Sequence, residues 1–116
     1  MIEKINETVL YLERKIMYRP KLAIILGSGL NEIEKLLNNK TIVDYEDIPN
    51  FPVSTVEGHK GRFVIGTING KEILLMQGRF HYYEGYSMDE VTYPIYVLKS
   101  FGIKNIIVTN AAGGIN

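Results

Sequence analysis

Ile2, Ile5, Val9, Leu12 and Ile16 recur at steps of three and four, so they fall on one stripe of a helix. Glu3, Lys4, Glu13 and Arg14 lie off that stripe. Pro20 closes the segment, because the residue before a proline is pushed out of the helical region. Leu22 to Leu26 is an uninterrupted apolar run, the pattern of a short strand buried on both faces. It runs directly into Gly27-Ser28-Gly29, after which Leu30, Ile33, Leu36 and Leu37 repeat with helical spacing. Thr41 to Tyr45 is a further candidate strand.

Glu46 to Lys60 holds two prolines and little periodicity and reads as a long loop, of the kind that is often functional. Arg62 to Ile68 and Lys71 to Gln77 are β-type runs joined by Asn69-Gly70, the pair that best fits a type I′ hairpin turn. A polar and aromatic loop, Gly78 to Tyr86, follows. Ser87 to Glu90 has capping-box spacing and opens a helix that ends near Gly102, with Pro94 expected to kink it or shorten its first turns. Lys104 to Thr109 is a last β-branched strand of buried type, leading into Asn110-Ala111-Ala112-Gly113-Gly114. Strand, helix and strand alternate around one hairpin, which predicts an α/β fold with a mixed central sheet flanked by helices.

Composition narrows the function classes. At 46% hydrophobic and 22% charged, the 116 residues fit one ordinary globular domain. Thirteen basic residues cancel thirteen acidic ones, so bulk charge gives no reason to expect nucleic acid or an anionic membrane as partner. Any anion must be held by a local constellation. Cysteine is absent, which excludes disulfides, thiolate metal sites and a cysteine nucleophile, and a cytoplasmic location is the default expectation. The two histidines have no suitably spaced companions for a metal site.

The candidate chemistry sits in loops that follow strands, where open α/β sheets collect ligands. Gly27-Ser28-Gly29 exposes backbone N–H groups and a hydroxyl at the start of a helical pattern. Arg79 offers a planar fork of donors suited to phosphate, and His81 lies two residues on. The small residues from Ala111 to Gly114 let the backbone approach a ligand. His59, in a loop with glycines on both sides, is either a contact for a bound anion or a solvated loop residue. Each feature taken singly also has a plain structural role: a tight turn, a surface arginine stacked on Phe80, a hydrogen-bonded histidine, tyrosines as core filler, a strand exit. Their joint placement after successive strands points to an anion site.

As a set, Leu26 to Leu30, Phe51-Pro52 with Glu57 to Gly61, Gln77 to Tyr86 and Thr109 to Gly114 resemble the trimeric purine nucleoside phosphorylases. The likeness runs over nearly the whole chain and implies the N-terminal part, residues 1–116, of a single nucleoside phosphorylase-like domain, incomplete on its C-terminal side. It implies cleavage of purine (deoxy)ribonucleosides by inorganic phosphate, giving free base and sugar 1-phosphate, with no metal or organic cofactor. By motif, Ser28, His59, Arg79, His81 and the N–H of Ala111 would hold phosphate, with His81 also the catalytic candidate. Tyr83 would reach the ribose, while Glu84 and Asn110 would shape their loops. The implied partners are phosphate and a purine nucleoside, with no nucleic acid or membrane, and a homotrimer for the complete protein. In the family, the later part of the chain grips the purine. A phosphate- or nucleotide-binding module without turnover, or an assembly partner, is the alternative. Without the family's later part, the Lys104–Thr109 strand would lose expected neighbours and have an unpaired edge and exposed apolar surface.

Overall fold

The apolar run Leu22–Leu26 becomes β1, and it lies inside a five-stranded sheet in the order β2-β3-β4-β1-β5. The other strands are β2 (Asn38–Asp44), β3 (Arg62–Ile68), β4 (Lys71–Gln77) and β5 (Asn105–Val108). The computed structural model describes residues 2–27, 31–52, 61–78 and 85–109. β1 pairs in parallel with both β4 and β5, whereas β3 pairs antiparallel with β2 and β4, so the sheet is mixed as expected. Asn69 and Gly70 take φ of 51° and 80°, both positive as a type I′ turn requires. That turn sets the hairpin register, from Ile68 opposite Lys71 back to Arg62 opposite Gln77.

Both α-helices lie on one face of the sheet. α1 (Ile2–Lys15) buries Ile5, Val9 and Leu12, while Ile2 at the end of the predicted stripe stays exposed. α2 (Met88–Phe101) buries Tyr93, Val97, Leu98 and Phe101. These side chains meet Ala23, Ile25, Phe63, Ile65, Leu74 and Met76 in one cluster. The other face is smaller: Leu26, Val64, Ile73 and Leu75 pack with Leu37, and Ile33 leans against them. β1 is therefore deeply buried on the helix side, but Leu22 and Ile24 on the other side are only partly covered.

The capping box of α2 forms in both directions, Ser87 N–H to Glu90 at 2.9 Å and Glu90 N–H to the Ser87 hydroxyl at 3.1 Å. Pro94 does not shorten the helix, which begins directly after its cap and continues across the proline to Phe101. Gly102 closes it with φ 119°, and Ile103 N–H returns to the Leu98 carbonyl at 3.0 Å.

Three expectations change. The helical pattern after Gly29 is a 3-10 turn over Asn31–Leu36, with Leu36 exposed and Leu37 buried. Too few residues precede β2 to repay nucleation of an α-helix. The predicted Thr41–Tyr45 strand starts earlier, at Asn38, and releases Tyr45 into a 3-10 turn (Tyr45–Asp47). β5 has the apolar run of a buried strand but is not buried: Ile107 is 48% and Val108 58% exposed, because among the described residues only β1 borders it, which is the unpaired edge and exposed apolar surface expected of the Lys104–Thr109 strand.

Tyr45 turns inward because aromatic partners await it. Its ring lies 5.1 Å from Phe51 and 5.2 Å from Phe63, in tilted and edge-on contacts. Gly61 makes this possible: a Cβ there would come within 2.6 Å of Tyr45 Cδ2 and 2.7 Å of the Gln77 carbonyl. Thr8 is the buried polar joint between the helices. Its hydroxyl lies 2.7 Å from both the Pro49 carbonyl and the Tyr93 hydroxyl, and 2.9 Å from the Lys4 carbonyl. A threonine has one proton to give to a carbonyl, so Tyr93 must donate to Thr8. Burial pushes the Tyr93 phenol upward, which keeps that proton in place at neutral pH.

Two substitutions test this packing. Thr8→Val should lower unfolding free energy by about 1–3 kcal/mol in urea titration. Adding Tyr93→Phe should cost much less than it does alone, because both partners are then removed. Additive losses would show that the two hydroxyls are not coupled. Gly61→Ala should destabilise by about 1–3 kcal/mol through forced displacement of the Tyr45 ring, and a wild-type midpoint would rule out that close approach.

Candidate functional site

Parallel pairing places the carboxyl ends of β4, β1 and β5 at one edge of the sheet, with Leu26 opposite Gln77 and Ile25 opposite Val108. β3 runs the other way, so its first residue, Arg62, reaches the same edge opposite Gln77. Four chain segments therefore join the sheet here: those after Gly27, before Gly61, after Gly78 and after Thr109. With strands about 4.8 Å apart, the four roots sit within roughly 15 Å of one another. Ser28, His59, Arg79, His81, Tyr83, Glu84, Asn110 and Ala111 belong to those segments and lie outside the described residues. What the structure fixes is the frame from which they depart.

Hydrogen bonds tie the frame together. Thr109 follows β5 directly; its hydroxyl accepts the Gly27 N–H at 3.0 Å and donates to the Ile25 carbonyl at 2.9 Å. Its own N–H also reaches that carbonyl, at 2.9 Å. One side chain thus splints the ends of β1 and β5. Tyr45 joins two other roots, since its N–H donates to the Gly61 carbonyl at 3.1 Å and its hydroxyl to the Gly78 carbonyl at 2.5 Å. Burial holds the Tyr45 phenol well above its ordinary range, so it remains a donor. Gly78 itself has φ 97°, a backbone state that favours glycine at the exit from β4.

A charged group lies beside them. Glu34 Oε1 accepts from Arg62 Nη2 at 2.6 Å and from Gln77 Nε2 at 2.8 Å, while Arg62 Nε donates to Gln77 Oε1 at 2.6 Å. Burial opposes the charge on Glu34, but the Gln77 hydrogen bond and the Arg62 and Lys40 charges outweigh it and hold the carboxyl below its usual range. Neither this trio nor Tyr45 stands out in the amino-acid pattern. The Arg62–Gln77 contact is legible there in principle, since the Asn-Gly turn dictates that register. Glu34 is not, because the spacing around it predicts a regular helix.

A cavity of about 530 Å³ opens elsewhere, among Lys4, Asn50, Phe51, Asp89, Glu90 and Tyr93. Pro52, which precedes residues 53–60, also lines it, but Gly27, Gly61, Gly78 and Thr109 do not, and its two carboxylates against one ammonium are unsuited to a phosphate dianion. Among the described residues no group of three or more potential metal ligands converges, and no helix is long and apolar enough to cross a membrane.

Comparison with known proteins matches this frame. Residues 21–116 match the model of the phosphorylase superfamily. Purine nucleoside phosphorylase 1 of Bacillus subtilis is 49% identical over 116 residues, covering 100% of this chain and 43% of that protein. Among solved structures, purine nucleoside phosphorylase of Schistosoma mansoni in complex with inosine superposes with a TM-score of 0.87 at 42% identity, covering 99% of this chain and 40% of that one. A purine nucleoside phosphorylase in complex with ribose-1-phosphate also superposes with a TM-score of 0.87 at 42% identity, covering 95% and 40%. The chain spans about two fifths of the length of these relatives. With most of its residues matched by the family model and its sheet superposing on solved members, the chain belongs to the phosphorylase superfamily.

Proposed function

We propose that this chain carries the phosphate-binding half, and part of the ribose-binding half, of a purine nucleoside phosphorylase. The reaction is phosphorolysis of a purine (deoxy)ribonucleoside to free base and sugar 1-phosphate. The observation that carries this reading is the gathering of four loop roots at one sheet edge in a chain related to enzymes of that name. Relatives solved with inosine and with ribose-1-phosphate support the substrate class.

In this reading Ser28, Arg79, His81, His59 and the Ala111 N–H bind the phosphate, and Tyr83 meets the ribose. Glycosyl transfer of this kind develops oxocarbenium-like charge on the sugar. A phosphate held beneath the anomeric carbon both stabilises that charge and attacks it. Fixing the two reactants together is worth about 7–11 kcal/mol in well-oriented systems. Donors mounted on a braced frame suit the task, because they need little reorganisation as charge develops. The trimer is carried over from the family resemblance. The cytoplasmic location we infer from a cysteine-free composition. A second reading is phosphate binding without turnover, since loop roots gathered at one sheet edge suit an anion site whether or not a reaction follows.

Phosphate should raise the melting temperature of the chain, since a ligand at about 100 times its Kd adds roughly 2.7 kcal/mol to a native state that alone binds it. Arg79→Ala should abolish the rise; an unchanged rise would place the anion elsewhere, and no rise in the parent chain would reject both readings. Incubation with inosine and phosphate then separates them. Hypoxanthine release supports the phosphorylase, and a silent assay beside an intact phosphate shift supports the binding module.

A further inference from the structure

Glu34, Arg62 and Gln77 come from three different borders of the proposed site. Glu34 stands in the turn that follows residues 28–30, Arg62 opens the strand that follows residues 53–60, and Gln77 ends the strand that precedes Gly78 and Arg79. Their three hydrogen bonds close a triangle, at 2.6, 2.6 and 2.8 Å, two of them to one carboxylate oxygen. The sheet alone fixes only two of these borders, through the pairing of Arg62 with Gln77. The turn carrying Glu34 is held by Leu37 and Ile33 on the apolar face; the triangle attaches it to the sheet edge, and Lys40 of β2 adds longer polar contacts to the Glu34 carboxylate at 4.0 Å and carbonyl at 3.5 Å. Glu34 is 17% exposed and Arg62 37%, so the group is sheltered without being sealed.

We propose that this triangle is a positioning device for phosphate: it holds the segment bearing Ser28 at a set distance from the segment bearing Arg79. The proposal rests on the phosphate-binding reading above. Two features favour positioning over simple stability. Partly exposed ion pairs contribute little to folding, whereas small displacements of binding groups are felt strongly in affinity. The Glu34 carboxylate also lies 2.6 Å from the Arg62 guanidinium and 4.0 Å from the Lys40 ammonium, so the charge of Arg62 is committed to the frame.

The test is phosphate titration of the whole chain and its Glu34→Ala, Glu34→Gln and Gln77→Ala variants, followed by calorimetry and by thermal shift. Glu34→Ala should weaken phosphate about tenfold, the lower end of what loss of an outer-shell partner does in metal sites. Its melting temperature without phosphate should stay close to that of the parent. Glu34→Gln keeps an acceptor oxygen and should recover part of the affinity. The Glu34→Ala and Gln77→Ala losses should combine to less than their sum, as for members of one network. Parent-like phosphate affinity in both alanine variants overturns the device, as does a lowered melting temperature with affinity unchanged. If Glu34→Ala does not fold, Gln77→Ala and Glu34→Gln decide the matter in its place. A parent chain that binds no phosphate overturns the reading beneath the proposal instead, so the two failures are distinguishable.

Discussion

β1 is hydrogen-bonded on both sides to strands running its own way, and the rest of the molecule is arranged around that fact. A parallel neighbour cannot be reached by a tight turn, so the chain must leave the sheet and cross back over a face. α2 makes such a crossing between β4 and β5, and it covers the apolar side of β1 on the way. Because all three strands point alike, their ends share one edge. The hairpin then adds a fourth root by running antiparallel, with its closed turn at the far end and its open end here. The site frame is a consequence of strand direction before any side chain is considered.

Side chains finish what direction begins. Thr109, Tyr45 and the Glu34–Arg62–Gln77 group each bond across two or more roots. Tyr45 is firmly seated because its ring is packed among Phe51 and Phe63, and Gly61 gives it room. The same residue is thus a core aromatic and a clasp on the site edge. Thr8 plays a comparable part on the helix side, joining α1, α2 and the chain at Pro49 through one hydroxyl.

Much of this is legible in the amino-acid sequence where local chemistry leaves little choice. The Asn-Gly turn, the capping box at Ser87 and the apolar run of β1 appear at the residues that predict them. Structure and pattern part where tertiary contacts override local preference. Leu30, Ile33, Leu36 and Leu37 have helical spacing, yet the segment before β2 is too short, and of Ile33, Leu36 and Leu37 only the last is fully drawn into the core. Tyr45 resembles the end of a strand because nothing local reveals the aromatic cluster awaiting it. At the site, motifs point to the loops, and pattern cannot find their braces. A glutamate on a turn contacts a hairpin mouth only once the fold exists.

β5 carries one more implication. A short run of isoleucine and valine, with Ile107 and Val108 turned outward, has its far row of N–H and C=O groups facing no other described strand. An edge like this is a ready template for any extended peptide of suitable hydrophobicity. Among the described residues, β5 is therefore where the sheet is open to extension by a further strand, and Val108→Lys would oppose such pairing.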